Sequence, residues 1–228
     1  GEAFSYDYDL PNDTAYSESC AAIALAFFAR RMLEIQPKSE YADVMESALY
    51  NTTLAGMALD GKSFFYVNPL EVVPEACHRD ERKACTTSRP PPRRAPNIAR
   101  IVEDVQQYAY TIGDDASTLY VHLYMGGSVH ARLAGADVRF DIASDMPWSG
   151  KGSVTVGLAS ADGSAAGESD AVRFTIALRL PAWAGGEAAA GAVAVRGDIA
   201  RTVSDGYLYL TGAWHDGDVI DIDFPMPV

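Results

Sequence analysis

The sequence is short of cysteine, of positive charge and of long apolar runs, and each shortage excludes a class of protein. Its 3 cysteines are odd in number and widely spaced, which argues against a disulfide scaffold and favours a reducing, cytoplasmic compartment. The net charge of −13 disfavours nucleic acids and anionic membranes as partners, because their phosphates would be repelled. The most apolar run, AAIALAFFA, is far shorter than the ~20 residues of a membrane span.

Fold-forming residues, by contrast, are abundant. Hydrophobic residues make up 48% of the 228 positions, which is typical of one or two globular domains with a buried core. The sequence starts with GEAF and ends with MPV, directly after a strand-like run, and we expect it to be a segment of a longer polypeptide. No pattern in it fixes an oligomeric state.

The first half of the chain has helical periodicity. Apolar residues recur every three or four positions over 15–35, and Ser39 begins a second such run that ends at the Asp60-Gly61 turn. Pro96 suits the first turn of a third helix, which reaches about Tyr110. Between them, FFYVN at 64–68 predicts a strand or an extended segment.

After residue 115 the hydrophobic period changes from near 3.6 to 2. Alternation with turn residues between the runs predicts an antiparallel β-sandwich, and GGEAAAGA at 185–192 predicts a loop. The fold class is therefore α+β, with a helical domain at 1–112 and a sandwich at 113–228. The seven predicted strands are 118–125, 128–133, 137–142, 153–158, 172–180, 206–210 and 218–224.

Acidic residues and tyrosines are mixed at the start of the chain, in EAFSYDYDLPND. Taken one at a time, Glu2, Asp7, Asp9 and Asp13 are each best interpreted as solvated surface groups. Together they form the kind of mixture that lines sugar sites. The residues alone leave both interpretations open.

Glu18 and Cys20 are candidate zinc ligands, since zinc accepts carboxylate and thiolate donors. At a spacing of two they diverge by ~200° around a regular helix, so one ion could hold both only at a helix end or an irregularity. Taken alone, Cys20 is more often a small buried apolar residue. The histidines His78, His122, His130 and His215 show no metal-ligand spacing, which favours structural or surface roles.

Several longer stretches, taken as a set, resemble glycoside hydrolase family 127, whose characterised members are β-L-arabinofuranosidases. In the first half these are GEAFSYDYDLPNDTAYSESCAAIALAFFARRMLE, YADVMESALYNTTLAGMALDGKSFFYVNPLE and PNIAR. In the second half they are TLYVHLYMGG, MPWSGKGSVTV, FTIALRLPAWA and DGDVIDIDFPMPV. The resemblance covers almost the whole chain except about residues 78–95.

The resemblance implies a fold, a substrate class and a set of roles. The family has an (α/α)6 catalytic barrel followed by β-sandwiches, so residues 1–112 would be the last part of a barrel, acting on arabinose-containing oligosaccharides. The family hydrolyses with retention, using a zinc-held cysteine nucleophile. Glu2 matches the family's acid/base, Glu18 and Cys20 match its zinc ligands, and Tyr66 matches a sugar contact.

One motif departs from the family pattern. Members carry a CACCPxNIAR-like motif whose last two cysteines are a zinc ligand and the nucleophile, but here Arg93 and Arg94 precede Ala95-Pro96-Asn97. Arginine cannot ligate zinc or lose its proton at working pH. With Glu18 and Cys20 alone the tetrahedral zinc site would be half built, and the sequence as written predicts a chain that does not use the family mechanism.

Three interpretations follow, in order of preference. The first is a genuine family member whose segment 78–95 results from compensating frameshifts, which reading the coding DNA in its other two frames would test. The second is a natural inactive member that binds sugars or a protein partner. The third is hydrolysis through carboxylates alone, such as Glu2 with Asp7 or Asp9.

Overall fold

In a computed structural model the chain is described at residues 7–9, 11–12, 18–61, 71, 95–158 and 171–226. The sequence-based hypotheses on Glu2, Tyr66, Arg93 and Arg94 lie outside these residues, as does the extended segment predicted at 64–68. Two compact units make up the chain. One is formed by Gly1–Arg31 with Val44–Asp104, and the other by Met32–Asp43 with Val105–Val228.

The helices begin and end close to the positions that the sequence predicts. α1 spans Ser19–Ile35 and α2 spans Ser39–Ser47, and they are separated by a short segment containing Pro37, which lacks the N–H that a continuing helix needs. α3 spans Ala95–Asp104 and α4 spans Gln106–Ala109. Each long helix buries one apolar stripe, which in α1 consists of Ile23, Ala26, Ala29 and Leu33.

A π-helix, Ala48–Thr53, continues α2, where the sequence pattern predicts an ordinary α-helix. The side-chain amide of Asn51 donates to the Ser47 carbonyl oxygen at 3.0 Å, one helical turn back. Segments of π-helix are rare and frequently occur at functional sites. None of the helices in the described ranges is long and apolar enough to cross a membrane.

The described residues of the second half of the chain form two five-stranded sheets. Sheet 1 has the strand order β1-β2-β6-β9-β8, and sheet 2 has the order β3-β4-β5-β10-β7. The strands β1 to β10 span Tyr110–Ile112, Thr118–Val121, Gly127–Leu133, Ala136–Ser144, Lys151–Leu158, Val172–Arg179, Val193–Val195, Ala200–Ser204, Tyr207–Trp214 and Val219–Asp223.

The core of the sandwich is built from alternating apolar residues of both sheets. Trp214 is fully buried, stacks on Phe174 with ring centroids 5.8 Å apart, and donates its indole N–H to the Phe174 carbonyl oxygen at 3.1 Å. Burial of each such side chain contributes roughly 1.5–3 kcal/mol, so the alternating strands are held by their inner faces. The other large core residues include Leu119, Phe140, Val154, Val156, Ile176, Leu178, Leu208, Leu210 and Ile220.

Three features differ from the sequence prediction. β2 and β6 pair in parallel, with Thr118 opposite Thr175 and Val121 opposite Leu178, so the sheets are not wholly antiparallel. β1, β7 and β8 are additional strands, and every residue of β8 is exposed, which removes the alternation that would reveal it. The segment Gly186–Ala192, predicted as a loop, is a 3-10 helix, consistent with its alanine content.

Candidate functional site

The start of α1 carries the two candidate zinc ligands that the structure describes. Glu18 lies immediately before α1, and Cys20 is its second residue. Both are half-buried, whereas Ser19 between them is only 4% exposed. Because Glu18 precedes the regular helix, the ~200° divergence of a spacing of two does not apply to this pair. This position meets the helix-end condition under which the pair could share an ion.

Cys20 is in contact with a residue far away in sequence. The side-chain amide nitrogen of Asn97 lies 3.5 Å from the Cys20 sulfur, within donating distance, and Asn97 occupies the first turn of α3. The starts of α1 and α3 therefore meet at this sulfur, and the guanidinium of Arg100 lies 4.9 Å from the centre of the Phe27 ring further along both helices. Sequence reasoning missed Asn97, and its only signal was membership of the PNIAR motif.

A glycine lets the π-helix approach the same region. A Cβ atom on Gly56 would lie 2.5 Å from Ser19 Oγ, 3.2 Å from the Thr53 carbonyl oxygen and 3.3 Å from Ile98 Cδ1. Such distances are below normal van der Waals contact, so only glycine allows the three elements to come this close without displacement. The start of α1, the end of the π-helix and the start of α3 therefore converge around Gly56.

Two buried hydroxyl groups in this region have no hydrogen-bond partner among the described residues. They are Ser19 Oγ and Thr53 Oγ1, whose residues are 4% and 1% exposed. A buried hydroxyl without a partner costs ~1–3 kcal/mol, so each is an energetic defect of the fold.

The donors described here do not complete a zinc site. Within the described ranges no group of three or more His, Cys, Asp or Glu side chains could hold a metal ion. Glu18 and Cys20 supply two of the four donors that a tetrahedral site requires. Asn97, the residue in contact with Cys20, supplies an amide N–H to the sulfur rather than another anionic donor.

The candidate acids at the N-terminus are only partly described. Asp7 is exposed and Asp9 is half-buried, on either side of Tyr8, which is 97% exposed and has a positive φ of 61°. Glu2 and Asp13 lie outside the described residues. The described residues therefore do not test the hypothesis of a catalytic carboxylate pair, which stays a prediction from the sequence.

His122 is part of a buried hydrogen-bond network, in keeping with the structural role expected from sequence. It is 1% exposed, and its ring nitrogens lie 2.6 Å from the Tyr207 hydroxyl and 2.7 Å from Thr111 Oγ1. Burial raises the pKa of Tyr207 well above its ordinary value, so the phenol stays protonated. His130 is exposed on β3, His215 is exposed beside Asp218, and His78 lies outside the described residues.

An open depression of about 670 Å³ lies on the outer face of sheet 2. Asp141 accepts hydrogen bonds there from Ser128 Oγ at 2.5 Å and from Arg139 Nη2 at 2.8 Å. These contacts, with the Ser128 bond first, hold the pKa of Asp141 below its ordinary value. Arg139 and Asp141 thus pair with each other in this depression, which gives both groups a structural partner.

Comparison with known proteins identifies the class to which this helix-plus-sandwich arrangement belongs. The model of the GH127 β-L-arabinofuranosidase catalytic domain matches residues 1–107, and the model of the GH127 middle domain matches residues 118–226. The chain belongs to glycoside hydrolase family 127.

Individual relatives are similar over nearly the whole of this chain. It is 36% identical to a non-reducing end β-L-arabinofuranosidase of Bifidobacterium longum subsp. longum, covering 97% of this chain and 32% of that protein. A GH127 β-L-arabinofuranosidase from Geobacillus stearothermophilus T6 matches with a TM-score of 0.82 and 40% identity, over 99% of this chain and 34% of the other. A GH127 β-arabinofuranosidase structure matches with a TM-score of 0.76 and 27% identity, over 99% and 34%. The chain thus spans about a third of the length of these relatives.

Proposed function

We propose that the chain is part of a glycoside hydrolase that releases β-L-arabinofuranose units from arabinose-containing oligosaccharides. The observation that carries this proposal is the match of residues 1–107 to the GH127 catalytic domain, together with relatives described as β-L-arabinofuranosidases. The proposed substrate is a neutral polyol, which is compatible with the net charge of −13, whereas a polyanionic glycan would be repelled.

Glu2 is proposed as the acid/base of this reaction and Tyr66 as a sugar contact, both by their positions in the family motifs. The protonated carboxyl of Glu2 gives its proton to the glycosidic oxygen as the bond from that oxygen to the anomeric carbon breaks. The resulting carboxylate then takes a proton from a water molecule whose oxygen bonds to the anomeric carbon, which frees the arabinose and restores the acid form. Tyr66 would orient the sugar through its ring and its hydroxyl.

Glu18 and Cys20 are proposed as the zinc ligands of the family site, and the helix-end position of Glu18 supports this pairing. The described donors are too few for a complete site, so no step of the reaction is assigned to the metal. A cysteine nucleophile is not identified, because Arg93 and Arg94 stand where the family motif has its cysteines.

The helical unit is proposed to be a portion of an (α/α)6 barrel. Apolar side chains on the unburied side of its helices support this, since Leu25 is 46%, Phe28 is 61% and Val102 is 45% exposed. An α-helix that is apolar on two sides is normally covered on both. Further helices of the catalytic domain are the proposed cover, in keeping with relatives about three times as long.

The alternative is a catalytically inactive member that binds carbohydrate or a protein partner. The observation that favours it is the Arg93-Arg94 pair, because two guanidinium groups beside a zinc site would repel the ion. Such a protein would retain the sugar-binding residues of the family without the bond-breaking step.

Assays of the full-length protein distinguish the two proposals. We expect release of arabinose from a β-L-arabinofuranosyl oligosaccharide, whose sugar leaving group needs a proton. Release should fall by about 10²-fold or more in a Glu2→Gln variant and stay unchanged in Asp7→Asn. Unchanged release by Glu2→Gln would end its assignment as acid/base. No release by the parent, with binding of arabino-oligosaccharides in calorimetry, would support the inactive binding member. Absence of both would refute both proposals.

A further inference from the structure

The outer face of sheet 1 buries polar and charged side chains. Arg179 and Tyr207 are both 0% exposed and His122 is 1% exposed, and neither Arg179 nor Tyr207 belongs to the sandwich core between the sheets. Their strand neighbours Leu178 and Leu208 point into that core, so Arg179 and Tyr207 lie on the opposite face. A face normally open to solvent is therefore covered within this unit.

Residues 32–43 comprise the end of α1, the turn after it and the start of α2. They belong to the same compact unit as the sandwich and contact the strand ends of sheet 1. Arg179 Nη1 lies 2.5 Å from Asp43 Oδ1, and the backbone N–H of Ala182 donates to the same oxygen at 3.3 Å. The backbone N–H of Ser39 donates to the Asp205 carbonyl oxygen at 2.9 Å. The segment is thus tied to sheet 1 at two separate points.

A glycine at the β8–β9 turn makes the close approach of this segment possible. Gly206 has a φ of +74°, and a Cβ atom on it would overlap Ser39 Oγ and Ser39 Cβ. Gly217, at another turn of the sandwich, has a similar φ of +82°, with no described atom within 4 Å of the corresponding position. The two turns share a backbone conformation, but of the two only Gly206 contacts a helix start.

The buried arginine makes this docking selective for a carboxylate. A guanidinium group stays charged at any working pH, and its burial is favourable only with an anionic or strongly accepting partner. Asp43 supplies that charge from the helix, with a side chain that is still 23% exposed. A neutral residue at position 43 would fill the space without supplying the charge.

We propose that the outer face of sheet 1 is an intramolecular docking surface for residues 32–43, and that this segment folds and unfolds with the sandwich. The segment lies within residues 1–107, which match the catalytic domain, whereas Arg179 lies within residues 118–226, which match the middle domain. The cooperative unit therefore crosses the boundary between the two. The sandwich is an obligatory support for the start of α2 and not a detachable carbohydrate-binding module, and this holds whether or not the chain hydrolyses glycosides.

Hydrogen exchange of the intact chain, followed by mass spectrometry at increasing urea, tests this proposal. We expect amides of residues 32–43 to exchange in step with β6 and β9, and at a different urea concentration from α3. In Asp43→Asn the exchange of residues 32–43 should accelerate roughly tenfold or more, with α3 unchanged. Glu40→Gln, an exposed change on the same helix, is the matched control. Exchange of 32–43 in step with α3, or at wild-type rates in Asp43→Asn, would overturn the proposal.

Two further pairs of variants test the docking surface from the sandwich side. Arg179→Met should loosen residues 32–43, whereas Arg173→Met, at an exposed position on the same face of β6, should not. Should Arg179→Met fail to fold, Gly206→Ala against Gly217→Ala decides the question, because both introduce a methyl group at positive φ and only the first collides with Ser39. Equal exchange of residues 32–43 in the two glycine variants would contradict the proposal.

Discussion

At the scale of single residues, Gly150 shows how one missing side chain permits a close backbone contact. Its carbonyl oxygen accepts the Phe224 N–H at 2.9 Å, and a Cβ atom on Gly150 would overlap the Phe224 carbonyl group. A backbone group cannot rotate away as a side chain can. Gly150→Ala should therefore lower the free energy of unfolding by about 3 kcal/mol or more.

Thermal and urea unfolding of Gly150→Ala, compared with Gly191→Ala, measure this effect. At Gly191 an added methyl group would meet no described atom within 4 Å, and the backbone φ is not positive, so this substitution should cost less than about 1 kcal/mol. Equal losses in the two variants would contradict the steric explanation.

The buried hydroxyl of Thr53 gives the opposite expectation, a substitution that stabilises. Thr53→Val keeps the shape of the side chain and removes an oxygen that has no hydrogen-bond partner among the described residues, so the free energy of unfolding should rise by ~1 kcal/mol. Thr175→Val is the control, because Thr175 Oγ1 lies 2.8 Å from Thr211 Oγ1 and its loss should cost ~1 kcal/mol. Changes of the same sign in both variants, measured by urea unfolding, would refute this interpretation.

At the scale of secondary-structure elements, the buried side chain of Tyr207 on β9 predicts that the protein loses stability at alkaline pH. Burial raises the pKa of Tyr207 above its ordinary value of 10.0, so above about pH 10 the unfolded chain ionises while the folded chain retains its proton. The contribution of Tyr207 to the free energy of unfolding is thus complete below the pKa of the phenol in the unfolded chain. It is lost as the pH rises above that value. Tyr207→Phe should make the decline of unfolding free energy above pH 10 less steep, although it also removes the bond to His122.

Urea unfolding at a series of alkaline pH values measures that slope. Tyr8→Phe, at an exposed position, serves as the control and should leave the slope unchanged. A slope that is the same in Tyr207→Phe and in the parent would show that the buried phenol does not govern alkaline stability.

Elements with local signals were predictable from the sequence, and elements that depend on distant partners were not. The α1 segment and β9 carry clear periods of 3.6 and 2, because each has one buried face. β8 (ARTVS) has no buried face, and the parallel pairing of β2 with β6 depends on residues 57 positions apart, so neither leaves a local pattern. The contact of Cys20 with Asn97 joins residues 77 positions apart, so only the tertiary structure could bring them together.

At the scale of the whole molecule, the exposed apolar side of α1 leads to a prediction about Phe28→Asp. Its cost in unfolding free energy should be larger in the full-length protein than in this 228-residue chain. Phe28 is 61% exposed here, so Phe28→Asp should cost less than about 1 kcal/mol in the 228-residue chain. In the full-length protein the same change should cost about 3 kcal/mol or more, because the side chain would then be covered by other helices of the barrel.

Differential scanning calorimetry of both proteins measures the contrast. Ile23→Asp is the control, since Ile23 is 1% exposed and its substitution should destabilise both forms strongly. An equally small effect of Phe28→Asp in both proteins would argue against the proposed barrel packing.

The pairing of Asp43 with Arg179 also has a consequence for the time course of synthesis. The two residues are 136 positions apart, and ribosomes add roughly 5–20 residues per second. The helix start that carries Asp43 therefore leaves the ribosome about 7 to 27 s before the strand that carries Arg179. During that interval the carboxylate of Asp43 lacks the guanidinium of Arg179, so residues 32–43 cannot dock before the strands of sheet 1 have been made.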